Sequence, residues 1–571
     1  MPRPATRWIL PPDVDDTQID ALATTLRLPR EVSRLLALRG HTGIEEAKTF
    51  LRPRLEQLHD GVTMAGLNDA VQRLVAAIEA RELIMVHGDY DVDGICSTTL
   101  LTRAIRGLGG MVFPFIPNRM TDGYDLGAAG VETAKKHKVR VVVTCDCGTS
   151  ALGPIAELNA VGIDVIVSDH HLPGGPLPES LALLNPRRPG CEYPDKDLAA
   201  VGVAFKLALA LARTLGKSDN YIWRMLDLVA LATVADIAPL RGENRVFVRY
   251  GLKLMAETEN IGLRALIRAS GLEGKTLTAG RVGFILAPRL NAVGRLDSAL
   301  RGVQLLMTDS PADANLIARE LEELNRKRQE LDRATLEQAR AMVRALPLDD
   351  TFGIVLAHAD WHPGVIGIVA SRIVEEFGRP TLLIALDGDV GKGSGRSISR
   401  FDLHGALSQC RDLLSRFGGH RAAAGVTVEA SKVADFTHRF NEVAKASLTQ
   451  DDLIPEIRVD VELSLEHAND ELEAMLKHFE PFGVGNPSPV FAARNVILAA
   501  PPRVVGKDGL KLRLATPDGE LEAIGWGMAD LADSLDMRRP IDIAFRLERD
   551  EYQGASRLQA RIADIAVREP R

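Results

Sequence analysis

Short apolar runs alternate with amphipathic stretches along the chain as far as about residue 240. Residues 83–86, 139–144 and 165–168 are rich in valine, isoleucine and leucine, which is typical of strands buried on both faces of a parallel sheet. The segments between them, beginning at about Asn68, have the spacing of helices that bury one face. The pattern therefore predicts an α/β domain in which helices cover a mostly parallel sheet.

Two other segments have a purely helical pattern. Residues 31–39 have helical spacing that Gly40 ends, so 1–60 is interpreted as an N-terminal helical extension and 61–305 as the α/β domain. Residues 311–346 are charged except for a narrow apolar seam at Ile317, Leu321, Leu324 and Leu331, and a helix of this length spans about 50 Å. This helix, within 306–346, either connects two domains or packs along one of them.

A second α/β pattern follows, and the chain ends in short strands. Residues 352–357 and 380–386 are strand-like, and a helix pattern over 365–378 ends at Gly378, which indicates a smaller domain over 347–450. Short apolar runs bounded by turn residues then predict a barrel or sandwich of oligonucleotide-binding (OB) type over 451–571. These runs are 457–463, 490–498, 504–505, 510–515, 521–526 and 541–547.

Composition narrows the class of protein. The chain has 571 residues, of which 46% are hydrophobic and 26% charged, values expected for a soluble protein of roughly two to four domains. No apolar run is long enough to cross a bilayer, and the N-terminus lacks the pattern of a secretory signal, so we expect a cytoplasmic protein. The five cysteines suit a reducing compartment. Cys145 and Cys147 have no second pair to complete a zinc site, and we interpret them as small buried residues that flank Asp146.

Acidic and histidine residues follow the three predicted strands. His87, Asp91 and Asp93 come after the first strand, Asp146 after the second, and Asp169-His170-His171 after the third. Because ligands bind at the carboxyl ends of parallel strands, these side chains are expected to meet at one edge of the sheet. Buried carboxylates are costly unless cations neutralise them, so the sequence predicts a metal site.

The spacing of these residues favours two ions. Asp91 and Asp93 are two residues apart and can bind different ions, whereas Asp146 is placed to bridge both. In the run 226–236, Asp236 is the better ligand, and Asp227 is expected to cap a helix. Two ions about 3.5–4 Å apart would activate water and stabilise in-line displacement at phosphorus. Mixed carboxylate and imidazole ligands suit Mn²⁺ or Mg²⁺. Any one of these aspartates could be a turn or cap residue, but that explanation is poor for the whole set.

A basic, glycine-rich region lies in the second α/β domain, although the whole chain has a net charge of −8. Between Gly391 and Gly425 there are six Lys or Arg residues and two Asp residues, a local charge of +4. Residues 391–397 and 417–425 are interpreted as loops whose N–H groups approach phosphates, assisted by Lys392, Arg396 and Arg421. The region predicts a groove that follows a phosphate backbone.

These residues resemble a known family. The HxxxDxD pattern that begins at His87, the lone Asp146 and the Asp-His-His triplet are similar to the DHH phosphoesterases. Residues 87–94, 115–124, 227–240 and 287–296 are similar to the RecJ branch of that family, and the resemblance extends over nearly the whole chain. It implies a DHH catalytic domain, a connector helix, a DHH-associated (DHHA1) domain and an OB-like barrel. It further implies a single-strand-specific DNA exonuclease that acts from the 5′ end in DNA repair and recombination. Ala232, where the family more often has glycine, departs from the pattern and affects packing only.

The resemblance also implies roles for individual residues. One ion would be bound by His87, Asp91 and Asp146, and the other by Asp93, Asp146, His170 and Asp236, while His171 would contact the scissile phosphate. A 5′ phosphate would be held by Arg396 above all, together with Ser394, Arg119, and Arg289 or Arg295. Gly418, Gly419 and His420 match the substrate-binding part of the DHH-associated domain.

The implied substrate is single-stranded DNA threaded through a channel too narrow for a duplex. Single-strand-binding protein and a recombination helicase are the implied protein partners, and a monomer is the expected state. His362 is either a substrate contact or a polar loop residue. Trp526 is either a stacking residue or, more often for a lone tryptophan, part of the core.

Two other functions remain open from the sequence. A small-molecule phosphoesterase of the same superfamily would cleave pyrophosphate, a dinucleotide or a cyclic dinucleotide, but it has no general need of the C-terminal barrel. A non-catalytic DNA-binding scaffold would have lost its metal ligands, whereas every ligand position is intact here.

Overall fold

The structure is a computed structural model that describes residues 6–119, 121–296, 298–517, 519–550 and 556–567. The chain forms two compact units. One unit is Leu58–Leu453, and the other combines the residues up to Gln57 with those from Ile454 onward. The N-terminal elements are β1 (Arg7–Ile9), α1 (Asp16–Leu26), α2 (Arg30–Leu38) and α3 (Ile44–Leu51).

A five-stranded parallel sheet forms the first part of the Leu58–Leu453 unit. Its elements are α4 (Leu67–Glu79), β2 (Leu83–Gly88), α5 (Val92–Gly107), β3 (Met111–Phe115), α6 (Ala128–Lys136), β4 (Val141–Cys145), α7 (Leu152–Ala160), β5 (Asp164–Ser168) and β6 (Ala182–Leu184). The strand order is β3-β2-β4-β5-β6, with every pair parallel. The predicted parallel sheet is confirmed.

The chain connections reverse direction between β2 and β4. From β2 the chain passes to β3 on one side, and β4, β5 and β6 then follow on the other side. The loops that leave β2 and β4 therefore diverge and open a crevice at the carboxyl edge of the sheet, which is where open α/β sheets bind ligands.

Helices follow the sheet. They are α8 (Ala200–Thr214), α9 (Asn220–Trp223), α10 (Leu226–Ala235), α11 (Gly242–Ala256), α12 (Ile261–Ala269), α13 (Ala279–Arg281), α14 (Ala287–Leu296), α15 (Leu300–Met307) and α16 (Pro311–Arg344), with a π-helical turn over Val282–Leu286. The α10 run is buried from Leu226 to Thr233, which explains why it lacks helical amphipathicity.

Helix α16 connects two packed layers. Ser310 caps its N-terminus by accepting a hydrogen bond from the Asp313 N–H, and Pro311 occupies the first turn, where a missing N–H costs nothing. Its first half contacts α12, α14 and α15. Leu336, Ala339 and Val343 in its second half lie in the core of the following domain. Of the two interpretations of the sequence, the connector is the one observed.

The second α/β domain contains β7 (Ile354–His358), α17 (Ile366–Phe377), β8 (Thr381–Asp387), β9 (Val390–Arg396), α18 (Leu403–Gln409), β10 (Arg416–Gly419), β11 (Ala423–Glu429) and α19 (Val433–Ser447). The strand order is β10-β11-β9-β8-β7. Gly378 ends α17 in the left-handed conformation, as predicted. The prediction of glycine-rich loops is wrong, because residues 390–396 and 416–419 are antiparallel strands.

The C-terminal part forms a seven-stranded sheet. Its elements are β12 (Glu456–Arg458), which pairs with β1, then β13 (Val461–Glu462), α20 (Asp470–Leu476), β14 (Phe491–Val496), β15 (Leu498–Val505), β16 (Gly509–Thr516), β17 (Gly519–Gly525), β18 (Ile541–Asp550) and β19 (Arg557–Val567). The order is β13-β14-β18-β19-β17-β16-β15. The sequence pattern missed β19. Trp526 is 54% exposed, so its interpretation as a core residue is wrong.

The N-terminal helices share a core with this sheet. Ile19, Leu22, Leu35 and Leu36 belong to the same buried cluster as Phe491. The segment interpreted as an extension therefore packs with the end of the chain. Every helix in the described part of the chain is either too short or too polar to span a membrane.

A buried ion pair ties α8 to the start of α11. The Lys206 ammonium lies 2.7 Å from a Glu243 carboxylate oxygen, with the two side chains only 5% and 1% exposed. Glu243 also accepts hydrogen bonds from the Tyr193 hydroxyl and the His59 N–H. A buried pair with satisfied hydrogen bonds holds its two helices in one arrangement. Removing one partner leaves the other charge buried without a counter-charge.

We expect Glu243→Ala to destabilise the Leu58–Leu453 unit by about 3–5 kcal/mol, because Lys206 would remain buried without a counter-charge. The measurement is the midpoint of urea unfolding. Glu323→Ala is the matched control, since Glu323 pairs with Arg326 on the exposed face of α16, and its midpoint should stay unchanged. Equal midpoints for both variants would contradict this account.

Candidate metal centre and nucleic-acid cleft

Acidic and histidine side chains converge at the carboxyl edge of the parallel sheet. Asp89 and Asp91 follow β2, Asp146 follows β4 and His170 follows β5. Three sets of ligand atoms lie within 4.8 Å of one another in the described residues: Asp89, Asp91 and Asp146; Asp93, His170 and Asp236; and Asp146, His170 and His171. Asp146 and His170 each belong to two sets, so the three sets form one continuous group.

Helix termini hold two of the carboxylates. Asp91 caps α5 by accepting a hydrogen bond from the Gly94 N–H at 3.0 Å. Asp93 accepts hydrogen bonds from the N–H groups of Ala200 and Val201 at 2.8 and 2.9 Å. These N–H groups open α8, whose positive end favours a carboxylate. Asp91 and Asp93 are only two residues apart in the sequence, yet their carboxylates are held by the N-termini of two different helices, α5 and α8.

Asp146 occupies the centre of the group at a backbone cost. Its φ of 65° lies in the left-handed region, which is unfavourable for a residue with a side chain, although aspartate tolerates it better than most. Its N–H donates to the Ser168 carbonyl at 3.0 Å, and its side chain is 2% exposed. The turn after β4 therefore aims this carboxylate into the sheet edge.

The structure distinguishes Asp236 from Asp227. Asp236 follows the last residue of α10 and joins the set with Asp93 and His170. Asp227 is buried at the other end of α10, where it accepts a hydrogen bond from the Thr258 hydroxyl. The preference for Asp236 agrees with this geometry, since the two carboxylates lie at opposite ends of a helix of 10 residues.

The two histidines of the triplet are in different charge states. Burial, and then the nearby charge of His171, lower the pKa of His170 to about 4, so His170 is neutral at pH 7, the form that binds metals. The His171 Nδ1 lies 2.7 Å from Asp169 Oδ1. Burial opposes the charged form of His171, but this hydrogen bond to Asp169 raises its pKa to about 9. His171 is therefore a cation beside the carboxylates.

Asp169 orients His171 and does not join the three sets. Burial would raise the pKa of Asp169, but the hydrogen bond from His171, its charge and the Thr149 N–H hold that pKa well below its usual range. A carboxylate that accepts several hydrogen bonds stays ionised. The triplet thus supplies one neutral imidazole, one charged imidazole and the carboxylate that fixes the latter.

The structure does not place His87 in these sets, and Asp89 takes its expected position. Side chains alternate along a strand, so His87 points to the same face of the sheet as Met85. There its ring lies 5.3 Å from that of Phe115, and its Nδ1 lies 3.6 Å from the Cys147 sulfur. Asp89 comes after the strand ends and is free of this alternation. The sequence did contain a signal that Asp89 could be a ligand, because Asp89, Asp91 and Asp93 form a run of aspartates at every second position.

The residues fit divalent cations. Among the described residues, Asp89 Oδ1, Asp146 Oδ1 and His170 Nε2 are buried atoms that make no hydrogen bond, although the last two lie 3.2 Å apart. Burial, and then Asp91, raise the pKa of Asp93 to about 7. Burial, and then Asp93 and Asp91, raise the pKa of Asp236 to about 8. These carboxylates resist being ionised at the same time, and the set contains buried oxygen and imidazole nitrogen atoms that lack partners. Mn²⁺ or Mg²⁺ would satisfy both conditions by binding these atoms and neutralising the charge.

A cleft of about 490 Å³ opens onto this group. Its walls include Tyr90, Tyr124, Arg119 and Arg295 from the part of the chain that contains the parallel sheet and the helices after it, and His420 from the second α/β domain. The Tyr124 hydroxyl lies 3.3 Å from His171 Nε2, and the Arg119 guanidinium lies 4.9 Å from the centre of the Tyr90 ring. Aromatic faces and guanidinium groups together are suited to bases and phosphates.

Several arginines gather beside the cleft. Burial, and then the charges of Arg119, Arg328 and Arg396, lower the pKa of Arg295 to about 10, so it remains a cation at neutral pH. Arg295 donates to the Gly364 carbonyl at 3.0 Å. Arg328 lies on α16, and its buried Nε has no partner in the described residues. The sequence did not single out Arg328, because its neighbours Arg326 and Lys327 suggest an exposed charged run.

Arg289 is engaged elsewhere. It forms an ion pair with Glu322 on α16 and donates to the Ile285 carbonyl. Of the two arginines proposed for the phosphate, the structure therefore favours Arg295. His362 accepts a hydrogen bond from the Gly364 N–H at 3.0 Å and is not among the residues that line the cleft.

Strand β9 explains the alternation of glycine with polar residues over 391–396. Lys392, Ser394 and Arg396 share one face of the strand. The intervening glycines pack so closely against the sheet core that a Cβ on Gly393 would lie 2.5 Å from Val426. On the polar face, the first turn of α17 approaches so closely that a Cβ on Gly367 would lie 2.8 Å from the Ser394 hydroxyl. Ser394 and Arg396 thus lie at a helix N-terminus, which favours anions.

The turn after β10 delivers His420 to the cleft. Gly419 has a φ of 140°, and a Cβ there would lie 2.4 Å from the Ala423 carbonyl oxygen. Gly418 has open space around it. Gly419 is therefore required by the turn, whereas the backbone gives no such reason for Gly418.

Three family models match the chain. The DHH family N-terminal domain matches residues 83–233, the DHHA1 domain matches residues 350–446 and the RecJ OB domain matches residues 459–564. These matches correspond to the parallel sheet, the second α/β domain and the C-terminal sheet.

Similar proteins and solved structures agree with the family models. The single-stranded-DNA-specific exonuclease RecJ of Bacillus subtilis is 37% identical, over 99% of this chain and 71% of the relative. That of Escherichia coli is 35% identical, over 94% and 96%. A crystal structure of Thermus thermophilus RecJ in complex with Mn²⁺ matches with a TM-score of 0.84 at 32% identity, over 99% of this chain and 80% of that chain. The chain therefore belongs to the RecJ family of single-stranded-DNA-specific exonucleases.

Proposed function

We propose that this protein hydrolyses single-stranded DNA from its 5′ end, using two divalent metal ions. The observation that carries the proposal is the set of buried carboxylates and imidazoles at the carboxyl edge of the sheet, which opens into a cleft with cationic walls. The similarity to RecJ exonucleases supports the substrate and the reaction.

The three sets of ligand atoms support a division between two ions. Asp89, Asp91 and Asp146 would hold one, and Asp93, His170 and Asp236, with Asp146 shared, would hold the other. When bound, the ions polarise the phosphodiester and make water nucleophilic at neutral pH. The protein supplies a preformed arrangement, because α8, the β4 turn and the end of α10 fix the carboxylates before any ligand arrives.

His171 is suited to contact the scissile phosphate. Its imidazolium is held by Asp169 at 2.7 Å, and it lines the cleft. A positioned cation stabilises the negative charge that develops on the phosphoryl oxygens during displacement. Tyr124 contacts the other nitrogen of the same ring and so restricts its orientation.

The arginine cluster supports 5′ polarity. Arg119, Arg328 and Arg396 each lie close enough to Arg295 to lower its pKa, and Arg396 stands with Ser394 beside the first turn of α17. Guanidinium groups and a helix N-terminus together form a site for a phosphate with more charge than an internal diester. A terminal 5′ phosphate held there would present the first diester bond to the metal centre.

The depth of the carboxylates supports the preference for single strands. Asp93 is 1% exposed and Asp146 2% exposed, so the substrate backbone must bend into the cleft to approach them, and a flexible single strand does so at lower cost than a stiff duplex. We further propose a cytoplasmic monomer that acts in DNA repair and recombination with a single-strand-binding protein and a helicase; the RecJ resemblance is the support for these points.

We expect Asp93→Ala to lower hydrolysis of single-stranded DNA by more than about 100-fold, since mutating groups that only support metal ligands already costs about 10–100-fold. The assay follows 5′- and 3′-labelled single and double strands with Mn²⁺. Full activity of the variant would refute the metal centre. Equal digestion of duplex and single strands by the unaltered protein would refute the narrow cleft, and release from the 3′ end would refute the polarity.

We expect the metal-free protein to lose stability as pH rises. The raised pKa values of Asp93, about 7, and Asp236, about 8, exceed those of an unfolded chain, about 4. The folded state therefore binds more protons between pH 4 and 8, and its stability falls over that window. The melting temperature in chelator should be lower at pH 8 than at pH 6, and Mn²⁺ should raise it more at pH 8.

Asp146→Asn isolates this effect from other titrating groups. Replacing the central carboxylate should raise the metal-free melting temperature at pH 8 and abolish most of the Mn²⁺ response, because repulsion and ligand are removed together. A variant that is less stable than the unaltered protein at pH 8 without metal would contradict the assignment of strain to the carboxylates.

We expect Arg328→Ala to weaken the preference for a 5′-phosphorylated strand over a 5′-hydroxyl strand by about 10–100-fold in kcat/KM, the range of a lost charge-assisted hydrogen bond. Arg326→Ala is the matched control, because Arg326 is exposed and paired with Glu323 and Glu330. If both variants keep the preference, Arg328 does not contact the terminal phosphate.

A further inference from the structure

Phe284 is the most exposed large apolar side chain among the described residues, at 87%. A phenyl ring left in water forgoes about 1.5–3 kcal/mol of stabilisation available on burial. Its neighbours behave differently: Val282, Leu286 and Leu290 on the same helical segment are fully buried. The segment is therefore well packed on one side and presents Phe284 on the other.

The backbone at Phe284 is irregular. Val282–Leu286 is a π-helical turn, in which the Ala287 N–H donates to the Val282 carbonyl. Single π-helical turns inside helices occur frequently at functional sites. This turn separates α13 from α14 and sets the direction in which Phe284 leaves the helix.

The open face of the segment leads into the cleft. Phe284, Pro288, Asn291 and Arg295 are its partly or fully exposed positions between 284 and 295, together with Ile285. Asn291 and Arg295 line the cleft over the metal centre. Phe284 lies 11 residues before Arg295, about 16 Å along the axis. The same face thus runs from Arg295, in the arginine cluster, to an exposed aromatic ring.

A second exposed apolar residue lies where this segment meets the metal centre. Ile237 directly follows Asp236, lines the cleft and is 65% exposed. Its φ of 61° is a strained value for a β-branched residue. Its N–H donates to the Val234 carbonyl, and Val234 packs against Gly283, where a Cβ would lie 3.3 Å away. The π-helical turn and the end of α10 are therefore in contact.

We propose that Phe284 stacks on a nucleobase of the substrate strand several nucleotides from the 5′ end, with Ile237 contacting bases nearer the metal centre. This inference rests on the proposed function. Bases are the favoured occupant because the ring continues a face that already carries Asn291 and Arg295 into the cleft, and alternating aromatic and cationic groups track single strands. One phenyl ring is far smaller than the roughly 800 Å² that a protein partner covers.

The test combines a side-chain change with removal of single bases. A 5′-phosphorylated oligonucleotide carries one abasic site, moved stepwise from the 5′ end, and binding is measured in an Asp93→Ala background that blocks hydrolysis. Phe284→Ala should weaken binding of the intact strand about 5–100-fold, the range for loss of one base stack. One abasic position should cost the Phe284 protein the same factor and cost Phe284→Ala nothing further. Phe284→Trp should restore binding.

Identical abasic penalties at every position in both proteins would overturn the proposal. Val161→Ala is the matched control, because Val161 is 51% exposed and precedes β5, at the amino edge of the sheet away from the cleft. Its binding should be unchanged, and a loss equal to that of Phe284→Ala would also overturn the proposal.

Hydrolysis in the active background separates this inference from the proposed function. Phe284→Ala should cleave a 5′-phosphorylated dinucleotide at the normal rate and a long strand with a higher KM. If the unaltered protein cleaves neither substrate with Mn²⁺, the exonuclease assignment fails. If it cleaves both, and Phe284→Ala matches it on both, only the base-stacking role fails.

Discussion

Mutual repulsion among desolvated carboxylates is the constraint on which this structure depends. The pKa values of Asp89, Asp93, Asp146 and Asp236 are all raised, first by burial and then by neighbouring carboxylates, among which Asp91 acts on all four. Such a group opposes folding unless cations or protons neutralise it. The fold therefore holds these carboxylates in an unfavourable arrangement that is ready to bind metal. Part of the stability of the metal-bound protein then comes from the ions.

The scaffold meets this constraint with fixed dipoles and a second cation. The amides that open α8 face Asp93, and the Asp169 carboxylate fixes a charged His171 at the cleft wall. The second α/β domain adds Arg396 beside the Arg295 cluster. Negative charge is thus concentrated at the bottom of the cleft and positive charge along its walls, an arrangement that draws in metal ions and a phosphate backbone to adjacent positions.

The local sequence pattern was sufficient to predict a segment's structure where that structure follows from the segment's own burial or charge pattern. Runs such as 165–168 are buried on both faces, so they predicted strands of the parallel sheet, and the charged 311–346 segment predicted the helix α16 without deciding whether it connects two domains. It failed where a glycine had a tertiary reason. The 391–397 segment is a strand because Gly391, Gly393 and Gly395 pack under neighbouring side chains, which composition alone does not distinguish from a loop. Trp526 was misjudged and β19 was missed for the same reason, since the local sequence does not show what packs around them.

The sequence by itself determined the chemistry of the site, because carboxylates and imidazoles placed after buried strands must meet at one edge of a parallel sheet. Only the tertiary structure decided which of them meet. It turned His87 toward Phe115, brought Asp89 into the ligand group, and separated Asp236 from Asp227 by the length of α10. It also exposed Phe284 and buried the Nε atom of Arg328. Side-chain direction depends on the register and packing of whole elements, and that information is not local in the chain.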